Sequence, residues 1–156
     1  MLEYSKIRLY FEGTFLISGS GCVRATAMQN ILIIDDSEFD RRMIVSAMKS
    51  TCEDITCFEL SHGEKALEMM RRESPELTIV DIRMPGLSGW EVLDQIKADK
   101  DLCDLNVIMM SGSHSGDDIK MASEKGADGF YTKPNSQLDY HSVAADLKNT
   151  YFNTAA

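Results

Sequence analysis

ILIIDDSE, residues 31–38, sets four branched apolar residues directly ahead of two adjacent carboxylates. A run this short, rich in β-branched side chains and apolar throughout, reads as a strand buried on both faces. Such a strand would end on Asp35 and Asp36. One acid there would be explained by a helix starting near Ser37, because Ser and Asp satisfy the free N–H groups of a first helical turn. Capping does not require two acids side by side, so the rest of the chain must supply their partners.

Working outward, further short apolar runs lie at 55–58, 77–80, 107–110 and 129–132. Helical patterns separate them. Phe39, Met43 and Ala47 are expected on one face, and Trp90, Leu93 and Ile96 on another. Tyr140, Ala144, Leu147 and Tyr151 form a third stripe, while the segment 116–125 has only Ile119 and Ala122. Five strands alternating with five helices predict an α/β fold with a parallel sheet covered on both faces. In such sheets ligands gather beyond the carboxyl ends of the strands. Standing at those ends are Asp35 and Asp36 (strand one), Glu59 and His62 (strand two), Asp81 (strand three), Ser111 (strand four) and Lys133 (strand five).

Taken singly, each has an ordinary explanation: a helix-start acid, a loop hydroxyl, a solvated charge. Together they select a chemistry. Three clustered carboxylates repel unless a cation lies among them, and their hard oxygens suit Mg²⁺. Two charges from Mg²⁺ and one from Lys133 would balance the three acids and leave a neutral site for an anionic phosphoryl group.

Composition narrows the alternatives. The chain has 156 residues, 44% of them hydrophobic, enough for one domain with a sizeable core. Its net charge of −9 opposes sequence-independent binding to nucleic acid. Cys22, Cys52, Cys57 and Cys103 form no CxxC pair, and read as reduced thiols of a cytoplasmic protein. No apolar run approaches the ~20 residues of a membrane span. Residues 1–28, with SGSG at 18–21, are expected to be an unstructured extension, and Met28 is a second candidate start. Residues 153–156 are expected to be a short tail.

The motifs IIDDSE, IVDIRMPGLSGWEVL, IMMSGS and GADGFYTKP, in that order, closely resemble the receiver domain of two-component response regulators. The resemblance covers residues 29–152. It implies a flavodoxin-like (βα)5 doubly wound fold with strand order 2-1-3-4-5. It also implies that Asp81 accepts a phosphoryl group from a sensor histidine kinase or a histidine phosphotransfer protein. Mg²⁺ would be held by Asp36, Asp81 and the backbone carbonyl of Arg83, with Asp35 acting through water. Lys133 would pair with phosphoryl oxygens, Ser111 and Phe130 would form the switch, and Arg83 and Ser113 would tune phosphoryl lifetime.

Further expectations follow, some from the resemblance and some from the residues themselves. Ser111 replaces the commoner Thr, and Phe130 the commoner Tyr. The Lys133–Pro134 bond resembles the family's cis peptide, Gly86 and Gly89 supply unusual backbone angles after Met84–Pro85, and Ser88 caps the helix carrying Trp90. Arg83 is either exposed, paired with Glu59 or a shield over the phosphoryl group. The chemistry expected is self-catalysed acceptance and autodephosphorylation, not turnover of a separate substrate. Because the chain stops four residues after Phe152, signalling is expected through protein docking or phosphorelay. A Mg²⁺-dependent phosphohydrolase and a phosphorylation-independent interaction module with the same fold are the alternatives.

Overall fold

The computed structural model describes residues 29–113 and 115–152; the expected extension 1–28, including Cys22, and the tail 153–156 lie outside them. Five strands, β1 (Gln29–Ile34), β2 (Ile55–Leu60), β3 (Leu77–Asp81), β4 (Asn106–Ser111) and β5 (Gly129–Thr132), form one sheet in the order β2-β1-β3-β4-β5. All four pairings are parallel. Between them run α1 (Glu38–Thr51), α2 (Ala66–Glu73), α3 (Gly89–Ala98) and α4 (Gly116–Glu124), and α5 (Gln137–Leu147) closes the fold. This is the flavodoxin-like architecture that the resemblance implies, built on the parallel sheet that the alternating pattern predicts.

Period-two alternation divides the strand side chains between two cores. Leu32, Ile34, Val80, Val107 and Met109 face α2 and α3, where Met70, Val92, Leu93 and Ile96 meet them. Ile31, Ile33, Ile79, Ile108 and Met110 face α1 and α5, against Ile44, Met48, Tyr140, Ala144 and Leu147. Central β3 is buried along its whole length, whereas edge strands β2 and β5 are largely half-buried. The methionines Met70, Met109 and Met110 are therefore core filling, as apolar thioethers in irregular gaps commonly are.

Two helix faces depart from expectation. Phe39 is 68% exposed, and α1 instead buries Ile44, Ala47 and Met48. Residues spaced by four advance 40° beyond a full turn at each step, so a Phe39–Met43–Ala47 row drifts around the cylinder. Ala47 and Met43 reach the sheet and Phe39 does not. In α4, Ile119 is 51% exposed and Ala122 alone is buried.

Caps fix the helix starts. The Ser37 side chain accepts from the Asp40 N–H and opens α1. Ser88 accepts from the Glu91 N–H while Glu91 reaches back to the Ser88 N–H, a complete capping box at α3. Gly86 has φ +76°, the left-handed backbone expected of it. Gly89 is required for a different reason. A Cβ there would stand 2.2 Å from the Asp81 carbonyl oxygen, so proximity rather than backbone angle demands glycine.

Candidate phosphoryl-acceptor and metal site

The sheet order decides which strand ends meet. β1 lies beside β3, with Ile34 opposite Val80, so the next residues, Asp35 and Asp81, emerge side by side. β4 lies beyond β3, and Asp81 pairs with Met110 while Ser111 pairs with Thr132 of β5. The backbone continues the ladder past each strand. Asp35 N–H donates to Leu60 O at 3.1 Å, Ile82 N–H to Met110 O at 2.9 Å, and Lys133 N–H to Ser111 O at 2.7 Å. These bonds hold the functional residues at one edge of a rigid sheet.

Asp35, Asp36 and Asp81 each place a carboxylate oxygen within 4.8 Å of the other two. Asp35 and Asp81 are buried, at 2% and 3% exposure, and Asp36 is exposed. The Lys133 ammonium faces them. Its Nζ lies 2.8 Å from Asp35 Oδ2, 3.0 Å from Asp40 Oδ2 and 3.3 Å from Asp81 Oδ2. The other Asp35 oxygen accepts the Ser37 N–H at 2.8 Å.

Burial pushes the Asp81 carboxyl above the ordinary carboxylate range, and Lys133 with the Arg83 N–H only partly opposes it. Asp35 is likewise raised by burial against its bond to Lys133. Burial would draw Lys133 down, but Asp35, Asp40 and Asp81 outweigh it and hold the ammonium well above its usual value. One ammonium thus serves several carboxylates, two of them buried, and those acids remain short of positive charge. Oxygen donors so arranged fit a small divalent cation such as Mg²⁺.

A second network lies across the β4 end. The Ser111 hydroxyl is 3.4 Å from both Ser113 Oγ and Asp118 Oδ2, and accepts the Ser113 N–H at 3.2 Å. Ser113 donates to Asp118 at 2.9 Å. The Arg83 guanidinium, largely exposed, reaches Ser113 Oγ at 3.4 Å and Asp118 Oδ2 at 3.8 Å. Arg83 therefore joins Ser113 and Asp118 rather than Glu59, which pairs with Arg41 at 3.4 Å. Phe130 is half-buried against the α2–α3 side core.

The described residues contain no cis peptide bond, so Lys133–Pro134 is trans, contrary to the expectation. Its ammonium is aimed inward by the three carboxylates instead. Among the described residues Cys52, Cys57 and Cys103 are free thiols, and burial pushes Cys57 up to about 11.

Sequence reasoning missed Asp40, Tyr140, Asp118 and Arg41. Asp40 was hidden because it lies inside a helix rather than at a strand end. Its one legible signal was its place four residues after Asp36, one helical turn from the site. Arg41 donates to the Asp35 carbonyl at 2.7 Å and so braces the β1 end.

Comparison with known proteins agrees with this geometry. The profile of the response regulator receiver domain matches residues 31–144. The nitrate/nitrite response regulator NarL of Escherichia coli is 36% identical over 104 residues, covering 66% of this chain and 47% of NarL. The rice two-component response regulator ORR4 is 28% identical over 145 residues, 80% of this chain and 62% of ORR4. The chain thus spans roughly half to two-thirds of these two relatives. It spans more of the Synechocystis response regulator Rcp1, which is 25% identical over 80% of this chain and 89% of its own length. Among solved structures, Mn(2+)-bound Rcp1 superposes with a TM-score of 0.72 at 24% identity, covering 82% of this chain and 97% of that one. The phosphorylated cyanobacterial phytochrome response regulator RcpA superposes at 0.75 and 24% identity, covering 83% and 98%. Likeness at that identity establishes the fold.

Proposed function

The chain belongs to the response regulator receiver family, and on that premise we propose that it accepts a phosphoryl group on Asp81 in a Mg²⁺-dependent reaction. The observation that carries the proposal is the juxtaposition of a buried carboxylate with two further acids within 4.8 Å and an ammonium at 3.3 Å. A carboxylate is a weak nucleophile, and phosphoryl transfer asks mainly for alignment and charge neutralisation. Asp81 Oδ attacks phosphorus, the bond from phosphorus to the donor's leaving atom breaks, and the electron pair leaves with the donor.

Asp36, Asp81 and the Arg83 carbonyl would hold Mg²⁺, with Asp35 acting through water since both its oxygens already accept hydrogen bonds. The cation would supply charge compensation for the acids and the incoming anion. Lys133 holds a proton-bearing ammonium beside the acceptor oxygen and offers it to a phosphoryl oxygen. The Ser111 hydroxyl can leave Asp118 for another such oxygen, with Phe130 turning into the space released. Arg83 and Ser113, already in contact, stand where they would tune the adduct's lifetime. That a relative was crystallised phosphorylated and another with Mn²⁺ supports the reading.

The donor would be a sensor histidine kinase or a histidine phosphotransfer protein. Output would pass by phosphorylation-dependent docking or by relay of the phosphoryl group. The chain itself would catalyse only acceptance and autodephosphorylation. Incubation with acetyl phosphate, with and without Mg²⁺, tests this reading. A Mg²⁺-dependent, slowly hydrolysing adduct supports it. Rapid turnover of diverse phosphomonoesters would point to a phosphohydrolase, and no adduct to an interaction module.

A further inference from the structure

A fourth acid stands at the site. Asp40, in the first turn of α1, takes Lys133 Nζ on Oδ2 at 3.0 Å and the Tyr140 hydroxyl on Oδ1 at 2.8 Å. Tyr140 is buried in α5, at 3% exposure. Both oxygens of Asp40 are thus fixed, one by the reacting site and one by the core. Burial would raise the Asp40 carboxyl, but these two bonds, the Lys133 charge and a weaker bond from the Ser37 side chain outweigh it and hold it below its usual range.

An ammonium has three hydrogens. Among the described residues Lys133 has three carboxylate partners, at 2.8, 3.0 and 3.3 Å, and Asp81 is the most distant. With Asp40 counted, the acids of the site exceed by one charge what a divalent cation and Lys133 together balance. An arriving phosphoryl group, itself anionic, meets both the extra charge and a cation already shared.

We infer that Asp40, anchored by Tyr140, is a positioning residue that acts as a counterweight on Lys133, drawing the ammonium away from Asp81 and weakening its hold on a phosphoryl group there. The inference rests on the proposed phosphoryl-acceptor reading and adds a regulator of that site. It also assigns Tyr140 a role: by donating to Asp40, the phenol spends part of that carboxylate's charge and limits its pull on Lys133.

This arrangement makes two substitutions act in opposite directions. Asp40→Asn keeps an oxygen for Tyr140 but removes the charge, freeing Lys133 for the phosphoryl position. Tyr140→Phe keeps the ring in the core but takes away the phenol donor, leaving more of the Asp40 charge to act on Lys133 and strengthening its pull. A merely structural role for the pair would move both variants the same way.

The test is calorimetric affinity for beryllofluoride, a phosphoryl mimic, at saturating Mg²⁺, in the wild-type chain and both variants. Circular dichroism melts would establish that each variant is folded at the assay temperature. Asp40→Asn should bind about tenfold more tightly, since a unit charge within a few ångströms is removed in a partly screened site. Tyr140→Phe should bind more weakly than wild type. No binding by the wild-type chain would overturn the acceptor reading and this inference with it. Wild-type binding that is unchanged or weakened by Asp40→Asn would overturn the counterweight alone, and so would equal shifts of the same sign in both variants.

Discussion

Lys133 Nζ lies 3.3 Å from the Asp81 carboxylate and only 2.8 Å from that of Asp35, so one ammonium compensates two buried acids at once. Removing one partner of a buried pair typically costs about 3–5 kcal/mol, because the remaining charge is left unpaired in a poorly solvated place. Lys133→Ala should therefore lower the urea midpoint substantially and abolish phosphoryl acceptance. Saturating Mg²⁺ should restore part of the lost stability, since it compensates the same acids. Urea titrations with and without Mg²⁺ check both statements, and an unchanged midpoint would contradict them.

Gly89 lets α3 begin against the end of β3. A methyl group at this position would meet the Asp81 carbonyl oxygen at 2.2 Å and the Ile82 Cα at 2.8 Å. The backbone contacts cannot rotate away as a side chain would, so Gly89→Ala should cost about 1–3 kcal/mol or more. The displaced Asp81 should also accept phosphoryl more slowly. Thermal melts and acetyl phosphate kinetics on the same sample would show both losses together.

The Ser111 hydroxyl rests against Ser113 and Asp118. Shifting a two-state ensemble from 1:99 to 99:1 requires about 5.5 kcal/mol of differential stabilisation. Charge-assisted bonds from Ser111 and Lys133, at roughly 1.5–3 kcal/mol each, are of that order. Ser111→Ala should accept phosphoryl but transmit it weakly. Amide resonances of α4, β5 and the start of α5 should shift less on adding beryllofluoride than in wild type. Equal shifts would break the proposed link from Ser111 to Phe130.

Much of this fold was legible because the strands are short and mostly apolar, and because polar or charged groups stop each of them. ILII ahead of Asp35, and LTIV ahead of Asp81, located two carboxylates that the sheet order then brought together. Helix phase was less legible. α1 has apolar residues on several sides, and nothing local tells that Ile44 and Met48 are buried while Phe39 is not. Asp40 and Tyr140 lie 100 positions apart on two helices, and only tertiary packing makes them partners. Gly89 was recognised as special, but the reason is a neighbouring strand's carbonyl, which no turn pattern encodes.

For the metal, Asp36→Ala should weaken Mg²⁺ binding strongly, since Asp36 is the exposed member of the three-acid cluster. Cys52→Ser should leave Mg²⁺ affinity unchanged, because Cys52 sits in the α1–α5 side core, away from the acids. Titration calorimetry measures both without relying on a fluorescence reporter. Equal affinities in the two variants would count against the cluster as the cation's seat.

Mapping the phosphoryl adduct decides whether Asp81 is the acceptor. The chain would be incubated with acetyl phosphate and Mg²⁺, and the modified residue located by mass spectrometry, beside an Asp81→Asn variant. Asn matches Asp in shape but is a far poorer nucleophile, so the variant should keep the fold. A single phosphoryl adduct is expected, on Asp81, and none on the folded variant. An adduct on another residue of the wild-type chain, or phosphorylation of Asp81→Asn at the wild-type rate, would contradict that expectation.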